Sequence, residues 1–299
     1  MAKGLDWATD GRDWPNRAHS RFVDAATTRW HVQRAGKGEH VLLLHGTGAS
    51  THSWAGLFPL LAARFDTLAV DLPGHGFTQS LRRLDSSLPG MVRALKALLA
   101  KESFRPSLII GHSAGAAIAV RLAPELDPRP RGTVSINGAL KPFGGPAALI
   151  APVMAKALAI NPFVSRALAR GGRDQSRVAR LIEGTGSRPE ADYLEFYGRL
   201  FANPRHVAGT LSMMANWNVS GVMAPFERAG LSLHQIIGLN DRAVPPEHAE
   251  ELTRRYTGAS LDRLPGLGHL AHEEDAARVA ASIFSAFADA AMPARKSGT

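Results

Sequence analysis

The fold of this chain is decided by the stretch Ser107-Leu-Ile-Ile-Gly-His-Ser-Ala-Gly-Ala-Ala117, in which a short apolar strand runs into small residues that open a helix. Gly111 and Gly115 flank Ser113 at the spacing Gly-x-Ser-x-Gly. A strand that turns sharply into a helix has no room for side chains on either side of the turn, which explains both glycines. The serine hydroxyl is thereby lifted above the sheet, beside helix N–H groups that favour negative charge.

The motif Gly-x-Ser-x-Gly is too short to identify a fold by itself. Apolar strand patterns that recur along the chain support it. Two β segments over residues 21–25 and 28–34 precede buried strand patterns at 41–44, 67–70, 107–110, 132–137, 231–237 and 260–264. Helical patterns separate most of these strands. Strands that alternate with helices predict an α/β fold with a mostly parallel, eight-stranded sheet and helices on both faces.

The alternation stops at Lys141. Only helical or irregular patterns follow, among them Leu149–Ile160, Arg173–Ile182, Tyr193–Phe201 and His206–Ala215. We therefore predict a core made of residues 1–140 and 226–299, with a helical cap inserted over 141–225. Residues 141–230 carry eleven basic and six acidic side chains, so more than half of the net charge of +9 lies in and beside this cap.

The composition excludes several kinds of site. The chain has no cysteine, which rules out disulfides, thiolate metal sites and a cysteine nucleophile. We expect no cofactor and no metal centre, because no His-Glu-x-x-His motif occurs and no third ligand accompanies His269 and His272. The positive charge favours an anionic substrate or partner, but no nucleic-acid motif accompanies the scattered arginines. Without an apolar signal segment or a membrane-spanning stretch, we expect a cytoplasmic protein.

A serine becomes a nucleophile when a base removes its proton and a carboxylate orients that base. Asp241 follows the strand pattern at 231–237, and His269 follows the one at 260–264. Because the carboxyl ends of parallel strands open onto one edge of the sheet, these side chains are expected to lie near Ser113. The sequence therefore predicts the catalytic triad Ser113, Asp241 and His269.

Two of these roles have weaker alternatives. His272 could replace His269 as the base, but it lies where the last helix begins. Asp262 lies inside a strand pattern, and Asp71 precedes the nucleophile in a Pro-Gly turn, so both are poorer candidates for the acid. We expect Asp71 to stabilise the turn.

Two backbone N–H groups must stabilise the negative charge that develops during acyl transfer. We expect them to come from Ala114, directly after the nucleophile, and from Thr47, in the loop after the strand at 41–44. An apolar pocket beneath the cap is predicted from the side chains of Trp54, Phe77, His112, Met213, Met214 and Trp217. Ordinary core packing is an equally good interpretation of each of these side chains.

These motifs together resemble the α/β-hydrolase superfamily over nearly the whole chain. The resemblance lies in His45-Gly46-Thr47-Gly48, Asp71-Leu-Pro-Gly-His-Gly76, Gly111-His-Ser-Ala-Gly115 and Gly268-His269. Further strings resemble the magnesium-chelatase accessory proteins of bacteriochlorophyll biosynthesis, namely Trp14-Pro-Asn16, residues 43–54 and 111–118, Gly184-Thr-Gly-Ser187, Met213-Met-Ala-Asn-Trp217 and residues 264–274. This resemblance implies a role near the insertion of Mg²⁺ into protoporphyrin IX, with chelatase subunits as partners. It leaves the reaction open.

Three functional hypotheses follow. The first is a serine hydrolase that attacks an ester or related acyl bond of a small apolar, anionic molecule, with a tetrapyrrole derivative as a candidate. The second is a non-catalytic protein that binds a tetrapyrrole and presents it to the chelatase. The third adds peripheral contact with an anionic membrane through the arginine-rich stretch Phe163–Ile182.

Overall fold

A computed structural model describes residues 4–80, 85–142 and 162–287 of the chain. Its centre is a nine-stranded sheet. The strands are β1 (Ser20–Ala25), β2 (Thr28–Ala35), β3 (His40–Leu44), β4 (Asp66–Val70), β5 (Gln79–Ser80), β6 (Leu108–His112), β7 (Gly132–Ile136), β8 (Leu233–Gly238) and β9 (Ala259–Leu264). Their order is β1-β2-β4-β3-β6-β7-β8-β9, and β5 pairs with β2 beside this path.

The sheet is mostly parallel, which confirms the predicted fold class. β2 is antiparallel to β1, β4 and β5. All the other strand pairs, from β4 and β3 to β8 and β9, are parallel. The eight predicted strands correspond to β1–β4 and β6–β9. The ninth, β5, has two residues, and so short a segment carries no alternating pattern that could predict it.

The helices of the described residues lie on both sides of the sheet and in the segment predicted to form a cap. They are α1 (Leu57–Ala62), α2 (Leu88–Lys101), α3 (Ala114–Leu122), α4 (Pro162–Gly171), α5 (Gln175–Glu183), α6 (Ala191–Phe201), α7 (Pro204–Ala215), α8 (Met223–Arg228), α9 (Pro246–Arg255), α10 (Ala271–Glu274) and α11 (Ala276–Ala286). Within the described ranges, no helix is long and apolar enough to cross a membrane.

Strand β3 shows how the sheet is covered on both faces. Leu42 and Leu44 join a hydrophobic cluster that includes residues of α2, α3 and α8. Val41 and Leu43 point the other way and join a second cluster with residues of α1 and α11. Because successive strand side chains alternate between faces, a strand that is apolar throughout must be covered twice.

The described part of the predicted cap contains helices and no strand. It holds α4, α5, α6 and α7, whereas the predicted helix Leu149–Ile160 lies outside the described residues. The predicted boundary between residues 225 and 226 falls inside α8, whose Met223 and Phe226 both pack in the main core. The chain therefore re-enters the core along α8 before β8 begins.

Candidate active site

Ser113 occupies the sharp turn between β6 and α3. Its backbone has φ 51° and ψ −116°, a strained conformation for a residue with a side chain. The turn is held from β7, because the N–H of Ser113 donates to the carbonyl oxygen of Ile136 at 3.0 Å. A Cβ atom at Gly115 would overlap the carbonyl oxygen of Leu44, and one at Gly111 would overlap the start of α3. Both glycines are therefore required by close packing of the backbone.

Asp241 and His269 form a hydrogen-bonded pair beyond the ends of β8 and β9. His269 Nδ1 lies 2.8 Å from Asp241 Oδ2, and the Asp241 side chain is fully buried. Asp241 Oδ1 accepts from the N–H groups of Ala243 and Val244, each at 2.8 Å. The pairing engages Nδ1 of the imidazole and leaves Nε2 as the nitrogen that can exchange a proton with a substrate or with Ser113.

Asn137 is a member of this site that was not predicted. Its Nδ2 donates to Asp241 Oδ2 at 2.7 Å, so the same carboxylate oxygen holds both Asn137 and His269. Asn137 directly follows β7. The rule that directed attention to Asp241 and His269, a polar residue just beyond a parallel strand, could have found Asn137 too.

Ser113 lies beside this pair. An ideal Cβ atom built at Gly46 would lie 3.1 Å from Ser113 Cβ and 2.9 Å from His112 Nδ1, and the His112 ring is 4.7 Å from the His269 ring. Among the described residues, no hydrogen bond joins the Ser113 hydroxyl to His269. Catalytic hydrogen bonds are often long before a substrate binds. The structure thus places the three predicted residues around one edge of the sheet, with a hydrogen bond between Asp241 and His269.

The loop after β3 runs beside the serine at Gly46 and continues into Thr47. His45 holds this loop, because its Nδ1 donates to the Gly46 carbonyl oxygen at 2.7 Å and its Nε2 accepts from Leu72 N at 2.9 Å. Burial lowers the pKa of His45, which keeps the ring neutral for these two roles. In the described ranges, the N–H groups of Thr47 and Ala114 donate to no protein acceptor. They remain available to an oxyanion.

The predicted pocket residues have different surroundings. Met213 is buried against the Thr47 loop, and its sulfur accepts from Thr47 Oγ1 at 3.6 Å. Met214 is 46% exposed, and Trp217 is half-buried against the main core. Trp54 and Phe77 are buried in two separate hydrophobic clusters, which corresponds to the core-packing alternative.

His112, which was predicted to line a substrate pocket, contacts the loop that carries His269, called here the histidine loop. It is buried, and its Nε2 donates to the carbonyl oxygen of His269 at 2.9 Å. Its ring lies 4.5 Å from the ring of His272. Burial holds the pKa of His112 well below the usual value, so the ring is neutral. His112 therefore links the turn before Ser113 to the backbone of His269.

Helix α7, in the predicted cap, contacts the loop that carries Thr47. His206 Nε2 donates to the carbonyl oxygen of Gly48 at 3.0 Å, and His206 Nδ1 accepts from Gly76 N at 3.1 Å. Burial lowers the pKa of His206 to about 4, so the ring is neutral at pH 7. A single histidine on a helix carries no sequence signal for this contact, and it was not predicted.

The residues considered as alternatives for the base and the acid make contacts that stabilise the fold. His272 is buried with its Nε2 2.8 Å from Ser53 Oγ, and burial lowers its pKa to about 3. Asp71 is buried and accepts hydrogen bonds from two backbone N–H groups and from His31. The nearby His31 and these donors hold the pKa of Asp71 well below its usual range despite its burial. Asp262 is half-exposed on β9 and accepts from Ser282.

Glu273 is a buried carboxyl group between α6, in the predicted cap, and the segment that carries Ser53. Tyr197 of α6 donates to its Oε1 at 2.7 Å, and Ser53 donates to the same oxygen. Its Oε2 is buried without a hydrogen-bond partner among the described residues. Burial raises the pKa of Glu273 from 4.5 to about 8.

We expect this carboxyl group to make the stability of the protein depend on pH. Because the pKa of Glu273 is raised in the folded state, its proton stabilises the fold fully below pH 4.5, and this stability is lost as the pH rises through about 8. The loss is on the order of 1 kcal/mol per pH unit. Thermal unfolding between pH 6 and 9 should show a shallower slope for Glu273→Gln than for the wild type. The exposed control Glu247→Gln should keep the wild-type slope, and equal slopes for Glu273→Gln and wild type would contradict the prediction.

Comparison with known proteins places this geometry in a family. The Alpha/beta hydrolase family matches residues 41–282. The magnesium-chelatase 30 kDa subunit of Rhodobacter capsulatus is 38% identical over 263 residues, which cover 87% of this chain and 92% of that protein. A pimeloyl-acyl-carrier-protein methyl ester esterase of Methylococcus capsulatus is 27% identical over 83% of this chain and 95% of its own length.

The solved structure of a thermophilic esterase from Thermogutta terrifontis superposes with a TM-score of 0.72 at 20% identity and covers 91% of this chain and 99% of its own. At this identity the likeness concerns the fold alone. The family match extends from β3 into α11 and so contains Ser113, Asp241 and His269. The chain belongs to the alpha/beta hydrolase family and is a relative of the 30 kDa subunit of magnesium chelatase.

Proposed function

We propose that this protein is a serine hydrolase that cleaves an ester or related acyl bond. The observation that carries the proposal is the Asp241–His269 hydrogen bond of 2.8 Å, formed beside a serine held in a strained turn. Backbone strain of this kind is retained where a turn must expose a nucleophile. The chain's own residues suffice for the chemistry.

In the proposed reaction, Ser113 Oγ attacks the carbonyl carbon while its proton passes to His269 Nε2. The N–H groups of Thr47 and Ala114 stabilise the oxyanion, and Asp241 stabilises the imidazolium that forms. The tetrahedral intermediate then expels the alcohol, which takes the proton from His269. Water, activated by the same histidine, hydrolyses the acyl-serine and restores the Ser113 hydroxyl.

The proposed substrate is a small apolar molecule that carries a negative charge, with an ester of a tetrapyrrole as the candidate. The similarity to a magnesium-chelatase subunit supports a role beside that enzyme, with its subunits as partners. The net charge of +9 supports an anionic ligand. Arginine is the side chain best suited to pair with a carboxylate such as a propionate.

A fluorophosphonate probe tests the nucleophile without knowledge of the substrate. The serine oxygen attacks phosphorus and fluoride leaves, so an activated serine acquires one phosphonyl group. We expect intact-mass measurement to show a single adduct and peptide mapping to place it on Ser113. Absence of the adduct, or labelling of another residue, would overturn the proposed nucleophile.

A second candidate function is binding of a tetrapyrrole for presentation to the chelatase. It is favoured by the 38% identity to a chelatase subunit, since that relationship specifies a pathway and leaves the reaction open. Titration with protoporphyrin IX should then shift the absorption spectrum of the porphyrin. A Ser113→Ala variant that supports magnesium insertion as well as the wild type would select this function, and a spectrum that does not shift would remove it.

Peripheral contact with a membrane remains a proposal for α4 and α5. Leu168 and Leu181 are 49% and 60% exposed. They lie among the exposed arginines of these two helices and the turn between them: Arg166, Arg170, Arg173, Arg177 and Arg180. Apolar side chains surrounded by arginines suit an anionic lipid surface. Co-sedimentation with phosphatidylglycerol vesicles at low salt, but not with phosphatidylcholine vesicles, is the expected result; no sedimentation with either would exclude the contact.

A further inference from the structure

The segment between α5 and α6 reaches from the cap to both loops of the acid–base pair. We call residues 184–188 of this segment the cap clamp. The carbonyl oxygen of Thr185 accepts from the N–H of Arg242 at 2.9 Å. The hydroxyl oxygen of Ser187 accepts from the N–H of Leu270 at 2.7 Å. Arg242 directly follows Asp241 and Leu270 directly follows His269, so one short segment holds the backbone beside both residues.

Backbone packing makes this contact tight. Gly186 has φ +87°, a conformation that favours glycine, and a Cβ atom there would overlap the carbonyl oxygen of Asn240. A Cβ atom at Gly268 would overlap the carbonyl oxygen of Gly186 in turn. At Gly186 and Gly268 the cap clamp therefore packs backbone against backbone on the loops that carry Asp241 and His269, and neither glycine can carry a side chain.

Glu274, in α10, contacts both the histidine loop and the cap clamp. Its Oε1 accepts from Gly268 N at 2.8 Å, and its Oε2 accepts from Arg188 N at 3.1 Å. One carboxylate thus joins the histidine loop to the cap clamp. The loops are also joined directly, because Asn240 N donates to the carbonyl oxygen of Leu267 at 2.8 Å.

We propose that the cap clamp positions Asp241 and His269, so that the acid–base pair holds its working geometry only while the cap is seated on the core. The two residues lie in loops beyond the sheet, where strand pairing no longer fixes the backbone. The cap supplies hydrogen bonds and packing at this point, and its contribution is one of positioning, since these hydrogen bonds go to the backbone N–H groups of Arg242 and Leu270. The cap thereby acts on the reaction through the loops that carry Asp241 and His269.

Ser187→Ala tests this role, because it removes the acceptor of Leu270 N–H and adds no volume. An unpaired buried N–H displaces the histidine loop or costs free energy, so we expect kcat on an activated ester to fall about 10- to 100-fold with little change in KM. Ser176→Ala, the same substitution on the exposed side of α5, is the matched control and should keep wild-type kinetics. Glu274→Gln removes one acceptor from the same arrangement and should lower kcat in the same direction.

A spectroscopic measurement makes the test independent of turnover. The proton in the His269–Asp241 hydrogen bond should give a far-downfield resonance in the wild type, which His269→Ala removes. We expect Ser187→Ala and Glu274→Gln to shift or broaden this resonance and Ser176→Ala to leave it unchanged.

An unchanged resonance in Ser187→Ala, with kcat within twofold of the wild type, would overturn the cap clamp. If Ser187→Ala does not fold, Glu274→Gln decides on the same criteria. The proposal rests on the hydrolase function, but the two fail separately. A wild type that neither turns over esters nor reacts with the fluorophosphonate would remove the hydrolase function, while the resonance still reports whether the cap positions the pair.

Discussion

Replacing Ser113 with alanine is expected to lower kcat on an activated ester by about 10⁴-fold or more, because the only atom proposed to bond to the acyl carbon is removed. KM should change little, since the pocket and the oxyanion donors are retained. Initial rates with p-nitrophenyl esters of several chain lengths, measured for the wild type and the variant at equal concentration, provide the comparison.

Ser135→Ala is the matched control for this substitution. Ser135 lies on β7, next to the strand that carries the nucleophile, and its hydroxyl is buried without a partner among the described residues. Removing it should leave the rate within a few-fold of the wild type. Equal rates for Ser113→Ala and the wild type would exclude Ser113 as the nucleophile and would favour the tetrapyrrole-binding function.

Replacing Asp241 with asparagine is expected to lower kcat by about 10⁴-fold through the tautomer of His269. Two backbone N–H groups donate to Oδ1 at 2.8 Å, so the amide oxygen of asparagine will take that place. The amide nitrogen then occupies the position of Oδ2, between His269 Nδ1 and the Asn137 amide. It donates to His269 Nδ1, which must become the acceptor, and its second hydrogen requires the Asn137 amide to turn so that Oδ1, which has no partner among the described residues, accepts it. The proton of the ring moves to Nε2, and the histidine can no longer accept the proton of Ser113.

Loss of the fluorophosphonate reaction should accompany loss of turnover in Asp241→Asn, since both require deprotonation of the same hydroxyl. Asp262→Asn is the matched control, because this aspartate lies half-exposed on the neighbouring β9. A loss of less than tenfold in Asp241→Asn would contradict the assigned role and would show that the imidazole is oriented by another group.

The parts of the site that could be predicted are those with a local signal. Ser113 was predicted because a strand, a sharp turn and a helix follow one another within eleven residues. Asp241 and His269 were predicted because polar residues directly follow apolar strand patterns, and parallel strands bring their carboxyl ends to one edge. The same reasoning predicted eight strands of the sheet. Each of these inferences needs only a short window of sequence.

The parts that could not be predicted depend on contacts between distant segments. His206 bonds to Gly48 across 158 residues, and Ser187 bonds to Leu270 across 83. Nothing in the sequence beside His206 distinguishes it from an ordinary polar residue of a helix. The string Gly184-Thr-Gly-Ser187 carries a family resemblance, but nothing in it indicates the contact of Ser187 with Leu270. The last helix, predicted to begin beside His272, is two helices in the structure, because Asp275 follows α10 and caps α11 by accepting from Arg278 N at 2.9 Å. Such contacts depend on tertiary packing, and the spacing of apolar residues in the sequence does not predict them.

The backbone conformation of Ser113 has a consequence for how variants of this protein should be selected. A non-glycine residue at φ 51° and ψ −116° costs about 1–3 kcal/mol of folding free energy. Glycine would relieve this strain, so a library screened at this position for heat resistance alone should enrich Ser113→Gly and discard the reactive group. A substitution at residue 113 that raises thermal stability therefore removes the hydroxyl group proposed to react. Stabilising mutations are better sought far from the turn.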